Sequence, residues 1–248
     1  NKNTGWANDH RLVIATTGGG KSQVVYQDQE AVPRSNVPHI LWDPDEDYPA
    51  KRFYSIASFK RGLMKAVRDW YRHGRGYRIA LTVDACPKVF DQFCKIVWSV
   101  LDGRYRTYLT VEELAAVEKS NGKANGWWLV LLNRSRKFGL AITAITQRST
   151  EISKTAYIQL ETKVVGVQDG DDIKRVAKLC GLTPEQIESL KPLQYWVKRK
   201  GECKRLELDF APIPQFKWQK GKVVKFYPPK PDKNARPGRK PRKQRIAA

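Results

Sequence analysis

The stretch Ala15-Thr16-Thr17-Gly18-Gly19-Gly20-Lys21-Ser22 constrains this chain more than any other. It follows the apolar run Leu12-Val13-Ile14 and precedes a helix-like segment, Gln23 to Ala31. Strand, glycine-rich turn, Lys-Ser and helix in that order are the layout of a phosphate-binding loop. Glycine has no Cβ, so the N–H groups of such a turn approach phosphate oxygens closely and wrap them. The start of the following helix adds partial positive charge. Thr17, Gly18, Gly19, Gly20, Lys21, Ser22 and Gln23 are therefore the expected ATP-binding set. Lys21 would reach the β- and γ-phosphates, and the Ser22 hydroxyl would hold Mg²⁺. Ala15 stands where a glycine is usual, a small departure because the later glycines lie nearer the phosphate. The alternative, a glycine-rich turn that binds nothing, leaves the flanking strand and helix unexplained.

Apolar strand-like runs alternate with helix-like segments through the rest of the chain. The expected strands are Leu12–Thr16, His39–Trp42, Arg78–Val83, Thr107–Val111, Ala141–Thr146 and Lys163–Val167. The expected helices are Lys21–Ala31, Ser58–Tyr71, Pro87–Leu101, Trp127–Lys137, Asp171–Cys180 and Thr183–Leu190. The last opens Thr-Pro-Glu-Gln, with a capping Thr and Pro at the first helical position. Such alternation predicts an α/β fold, a mostly parallel sheet with helices on both faces. Gln194–Val197 and Leu206–Phe210 are candidates for a late hairpin or edge pair. The 248 residues suffice for one α/β domain with a sizeable core.

Net charge is +21, a balance that speaks to partners and points to nucleic acid or an anionic membrane surface. Residues 217–248 hold twelve Lys or Arg against one acid, Asp232. From Pro228 the sequence is rich in proline and nearly devoid of apolar residues, so it cannot bury a core and is expected to be disordered. The expected division is a P-loop ATPase domain over residues 1–227 and a basic, proline-rich tail over 228–248. Arg236, Arg239, Lys240, Arg242, Lys243 and Arg245 are the candidate phosphate-backbone contacts. A solubility or localisation element is the alternative for the tail. No apolar run approaches the ~20 residues of a membrane span, and no secretory leader is expected. Cys86, Cys94, Cys180 and Cys203 show no CxxC pairing, so reduced thiols with no disulfide partner are expected. His10, His39 and His73 are scattered and receive no role.

Three further segments fit ATP chemistry. Tyr108-Leu109-Thr110-Val111 is an apolar strand that runs into Glu112 and Glu113. One carboxylate would organise Mg²⁺ and its waters, and the next would polarise the attacking water. We assign the first task to Glu112 and the second to Glu113; a solvated acidic loop is the alternative. Ile145-Thr146-Gln147-Arg148 closes another strand, and strand C-terminal ends line the ligand crevice of such sheets. Gln147 is thereby placed to contact γ-phosphate and water. Asn133-Arg134-Ser135-Arg136-Lys137 lies just upstream. A guanidinium can complete charge neutralisation at the transferring phosphate, often from a neighbouring subunit. Arg136 is the first choice for that role and Arg134 the second; contact with solvent or DNA alone is the alternative.

These segments together resemble the FtsK–HerA superfamily of DNA-pumping ATPases. Ala-Thr-Thr-Gly-Gly-Gly-Lys-Ser is similar to their Walker A, and Ile40-Leu41-Trp42-Asp43-Pro44-Asp45 to their strand-two Asp-Pro element. Ile145-Thr146-Gln147-Arg148 resembles their Thr-Gln-Arg sensor, and Arg136-Lys137-Phe138-Gly139-Leu140 their upstream arginine segment. Order and spacing agree over about residues 11–200. The short body is most similar to genome-packaging ATPases of membrane-containing icosahedral viruses. The resemblance implies a RecA-like core, a homohexameric ring, ATP hydrolysis with Mg²⁺, and double-stranded DNA threaded through the pore. It further implies capsid portal or vertex proteins and the viral membrane as partners, and a location in the host cytoplasm or at the packaging vertex of the virion. Two rivals carry different expectations: an assembly or secretion ATPase that extrudes single-stranded DNA or protein, and a non-catalytic basic protein with a degenerate nucleotide site. Mere binding needs neither the second carboxylate nor Gln147.

Overall fold

The computed structural model describes residues 5–33, 36–118, 122–219 and 222–226. In chain order the elements are β1 (Arg11–Ile14), α1 (Lys21–Gln27), β2 (Pro38–Trp42), β3 (Lys51–Phe53), α2 (Ile56–His73), β4 (Tyr77–Leu81) and α3 (Pro87–Ser99). There follow β5 (Thr107–Val111), α4 (Leu114–Val117), α5 (Gly126–Arg134), β6 (Leu140–Thr146), α6 (Lys154–Gln159), β7 (Thr162–Val165), α7 (Asp171–Cys180) and α8 (Pro184–Glu188). The chain closes with β8 (Gln194–Arg199), β9 (Glu202–Glu207) and a separate hairpin of β10 (Gln215–Gln219) and β11 (Lys222–Phe226).

Nine strands form one sheet in the order β3-β4-β2-β5-β6-β1-β7-β8-β9. All pairings from β3 to β7 are parallel, and β8 and β9 add an antiparallel edge. β1, β2 and β6 are buried along their whole length and largely apolar, as parallel strands covered on both faces are, with Arg11, His39, Thr143 and Thr146 the polar members. Alternate residues nonetheless serve two cores. Leu12, Ile14, Ile40, Trp42, Leu109 and Val111 face the thick layer, with Phe59 and Leu63 of α2, Phe90 and Phe93 of α3, and Leu131 of α5. Val13, Leu41, Ala80, Ile145 and Tyr195 face a thinner one, with Val24 and Val25 of α1 and Tyr48 of a loop. Helices thus lie on both faces, but α1 stands nearly alone on the second. Gly62 lets α2 approach the sheet, since a Cβ there would lie 2.1 Å from the Phe53 ring.

Most expected elements are present, with displaced ends. The first helix stops at Gln27, not Ala31, because Asp28 accepts the Glu30 N–H at 3.0 Å and pairs with Arg11 at 3.2 Å. The helix expected to reach Lys137 ends at Arg134 and tightens into a 3-10 turn, Ser135–Phe138, before Gly139 at φ 81°. The late hairpin pairs Gln194–Arg199 with Glu202–Glu207 rather than Leu206–Phe210. Lys200 and Gly201 both have positive φ, the geometry that two-residue hairpin turns favour. Residues 209–211 instead run back against α1. The tail residues Arg236, Arg239, Lys240, Arg242, Lys243 and Arg245 lie outside the described residues.

Candidate active site

The strand order assembles the site. β6 lies between β1 and β5, so the ends of three adjacent parallel strands bring Thr17, Gln147 and Glu113 side by side. At the end of β1 the Thr16 N–H bonds to the Val167 carbonyl at 2.9 Å, and the Gly19 N–H bonds back to Thr16 at 3.1 Å. Gly20 enters α1 at φ 90°, a left-handed value that suits glycine. It is also clamped from outside: a Cβ there would lie 2.5 Å from both Leu193 Cδ2 and Tyr195 Oη. The Tyr195 hydroxyl donates to the Gly19 carbonyl at 3.0 Å and fixes the turn from β8. Ala15, fully buried, packs beside Gly166, where a Cβ would lie 2.8 Å away.

Lys21 Nζ donates to the Thr16 carbonyl at 2.9 Å and arches across the loop. Burial pushes its pKa down, and Glu112, Glu113 and Asp47 oppose that. Glu112 is buried, and burial pushes its pKa up to about 8; its Tyr48 hydrogen bond opposes the rise, and Asp47, Asp43 and Glu113 add to it. A cation arriving beside Glu112 would favour the ionised carboxylate. Glu113 caps α4 at φ 50° and ψ 46°, a left-handed conformation that costs a non-glycine residue of order 1–3 kcal/mol. In this conformation its carboxylate meets Gln147. Gln147 Nε2 donates to Glu113 Oε1 at 3.0 Å, and Gln147 Oε1 accepts the Thr17 hydroxyl at 2.8 Å. One amide therefore ties the phosphate-binding loop to the carboxylate assigned to activate water.

In the loop that follows β2, the sequence points to Asp43, Pro44 and Asp45 but not to Asp47 and Tyr48. Buried Asp43 accepts the N–H groups of Asp47 at 2.9 Å and Tyr48 at 3.2 Å, and pairs with Arg52 at 2.6 Å. This folds the loop so that consecutive side chains meet the two expected Mg²⁺ residues. The Ser22 hydroxyl donates to Asp47 Oδ2 at 3.2 Å, and the Tyr48 hydroxyl donates to Glu112 Oε1. Burial, then Asp43, raises the Asp47 pKa. Among the described residues no group of three or more His, Cys, Asp or Glu forms a self-sufficient metal site. The donors present suit Mg²⁺ even so: a hydroxyl and carboxylates, all hard oxygen, beside a phosphate-binding loop whose ligand supplies the remaining oxygens.

Two expected residues stand apart. The Gln23 side chain is committed to residue 211, donating to the Ala211 carbonyl at 2.9 Å and accepting its N–H at 3.1 Å. Arg136 lies in the turn before β6, at the opposite end of that strand from Gln147. The seven residues of β6 put roughly 20 Å between those ends. Arg134 and Arg136 are exposed and have no side-chain partner among the described residues. Within one chain neither reaches the phosphate-binding loop.

A Lys-bearing glycine loop, paired carboxylates and a bridging glutamine on a parallel sheet define a P-loop NTPase. The chain is 34% identical over 198 residues to Protein P9 of Pseudoalteromonas phage PM2, a match over 77% of this chain and 86% of that protein. It belongs to the family of that phage protein. No protein-family model matches the sequence. The fold is similar to that of the genome packaging NTPase B204 from Sulfolobus turreted icosahedral virus 2, solved with AMPPCP. That likeness has a TM-score of 0.65 at 14% identity, over 83% of this chain and all of B204. The bacterial conjugative coupling protein TrwB is similar at TM-score 0.58 and 12% identity, over 83% of this chain and 85% of that one. VirB4 of Thermoanaerobacter pseudethanolicus is similar at TM-score 0.55 and 12% identity, over 83% and 90%.

Proposed function

We propose that this ATPase uses Mg²⁺-dependent ATP hydrolysis to drive double-stranded DNA into a viral capsid. The observation that carries the hydrolytic part of the reading is the Thr17–Gln147–Glu113 chain of hydrogen bonds. A protein that only binds nucleotide has no need of a sensor wired to a carboxylate. Glu113 takes a proton from the attacking water as its oxygen bonds to the γ-phosphorus and the bond to the β-phosphate oxygen breaks, giving ADP and phosphate. Lys21 meets the charge that develops on the β- and γ-phosphates. Gln147, which holds both Thr17 and Glu113, orients the water when the γ-phosphate takes its amide. Ser22 and Glu112 would hold Mg²⁺, with Asp47 and Tyr48 behind them, and the ion would neutralise phosphate charge. Arg136, remote from its own loop, would act on the nucleotide of a neighbouring subunit, in a closed ring such as a hexamer.

The phage source of protein P9 and the fold shared with the genome packaging NTPase B204 support a viral packaging setting. A capsid vertex, in the host cytoplasm or virion, is where this reading puts the ATPase. Capsid and viral-membrane components are the further partners this reading expects. No helix among the described residues is long and apolar enough to cross a membrane. The test is ATP turnover of the purified chain with and without duplex DNA. Stimulation of several-fold by duplex, lost in Glu113→Gln, is expected. Turnover indifferent to DNA would overturn the translocation reading.

A further inference from the structure

The described domain carries its own cationic surface, distant in sequence from the tail. Residues 60–78 hold seven Lys or Arg and one acid, Asp69, a net +6. The whole of residues 1–216 carries +10. At 100° per residue, Arg61, Lys65, Arg68 and Arg72 fall within about 60° of one face of α2. That face points away from Phe59 and Leu63, which are buried against the sheet. All four cations are exposed, and none has a hydrogen bond, ion pair or ring contact among the described residues. Like charges three and four positions apart repel and weaken a helix, so local stability does not explain the row. At 1.5 Å per residue the row is about 17 Å long on a rigid rod. It borders a cleft of about 430 Å³ at the β3–β4 edge, which Lys51, His73 and Arg75 also line, with Asp69 as the one acid.

We propose that the outer face of α2 is a docking surface for the phosphate backbone of double-stranded DNA. The inference rests on the translocation reading and places a DNA contact on the folded domain as well as the tail. A duplex carries one charge per about 1.7 Å of axis, so a row of this length faces on the order of ten phosphates. Four unpaired cations opposite them release counterions and gain affinity without reading bases. A membrane fits less well. An interfacial helix buries its apolar face in lipid, and the apolar face of α2 is already packed on the sheet. The apolar side chains beside the row are few: Met64 and Tyr71, 43% and 39% exposed.

The test is binding of the full-length chain to a labelled mixed-sequence duplex across a salt series, with Arg61, Lys65, Arg68 and Arg72 all changed to Gln. Glutamine keeps helix propensity, and melting together with DNA-free ATP turnover verifies that the fold is intact. The slope of log affinity against log salt should flatten by about 0.9 per lost contact, roughly 3 to 4 in all. Changing Lys174, Arg175 and Lys178 of α7 to Gln should flatten it far less. An unchanged slope in the α2 variant, or equal flattening in the α7 variant, would overturn the inference while leaving the translocation reading intact. So would loss of binding to phosphatidylserine-rich vesicles, or loss of oligomers, with duplex binding unaltered. Failure of the unaltered chain to bind duplex would overturn both.

Discussion

The two ends of β6 teach different lessons. At its C-terminal end Gln147 has both side-chain atoms engaged, one by Thr17 and one by Glu113. At its N-terminal end Arg134 and Arg136 project into solvent with no partner among the described residues. One end is a wired site. The other is a set of charges placed where the same chain cannot use them on its own nucleotide. A strand of roughly 20 Å therefore spans the width over which one subunit could serve two nucleotides, its own and a neighbour's.

The largest effects should come from the wired end. Glu113→Gln should lower turnover about 10²- to 10⁴-fold with nucleotide affinity held within a few-fold, because the amide cannot take the proton. Lys21→Ala should cost roughly 10²- to 10³-fold in turnover through lost stabilisation of phosphate charge. Steady-state hydrolysis and binding of a labelled ATP analogue separate the two. Near-normal turnover in either variant would break the assignment of this end as catalytic. Gln147→Ala, which removes two hydrogen bonds, should cost a smaller 10- to 100-fold in turnover.

The far end of β6 should answer to acid. Buried His10 accepts the Ile142 N–H through Nδ1 at 3.2 Å, and its pKa is lowered to about 3 by burial first and then by Arg106. Buried His39, which meets the Thr110 hydroxyl at 2.9 Å, is lowered to about 3 by burial and then by Arg78. Unfolded histidine titrates near 6.5, so between pH 6.5 and about 3 the unfolded chain binds more protons. Stability contributed by these neutral rings is full above 6.5 and falls on acidification, by about 1.4 kcal/mol per pH unit for each. Glu112, raised to about 8, opposes this over the same range, so the histidine contribution is read as a difference: melting at pH 7, 6 and 5 should fall less steeply in His10→Gln than in the unaltered chain, by about 1.4 kcal/mol per pH unit. A slope unchanged by His10→Gln would show that the ring is not held neutral beneath β6.

Much of the site was legible because its parts are local. Lys21 and Ser22 follow their glycines, Glu112 and Glu113 follow an apolar strand, and Gln147 ends another. Alternation of strands and helices gave the parallel sheet. What stayed hidden depends on partners distant in sequence. Asp47 and Tyr48 act only because Asp43 folds their loop against Ser22 and Glu112. Leu193 and Tyr195 clamp Gly20 across more than 170 residues of chain. The boundary at Asp28 was missed because its carboxylate serves Glu30 and Arg11, a choice made by tertiary contact and not by helix propensity. The cationic row on α2 was present in the sequence, but that none of its four cations forms an ion pair among the described residues is visible only in the fold.

If Arg136 acts across a subunit boundary, an arginine from one subunit completes the hydrolytic site of the next. Arg136→Ala and Lys21→Ala chains, each inactive alone, can be mixed under assembly conditions, with mixed assemblies verified by native mass spectrometry. ATP hydrolysis should return. Interfaces that join a Lys21-bearing site to an Arg136-bearing neighbour would restore a fraction of normal turnover that peaks at intermediate mixing ratios. No recovery in verified mixed assemblies, or full turnover by Arg136→Ala alone, would contradict action across the boundary.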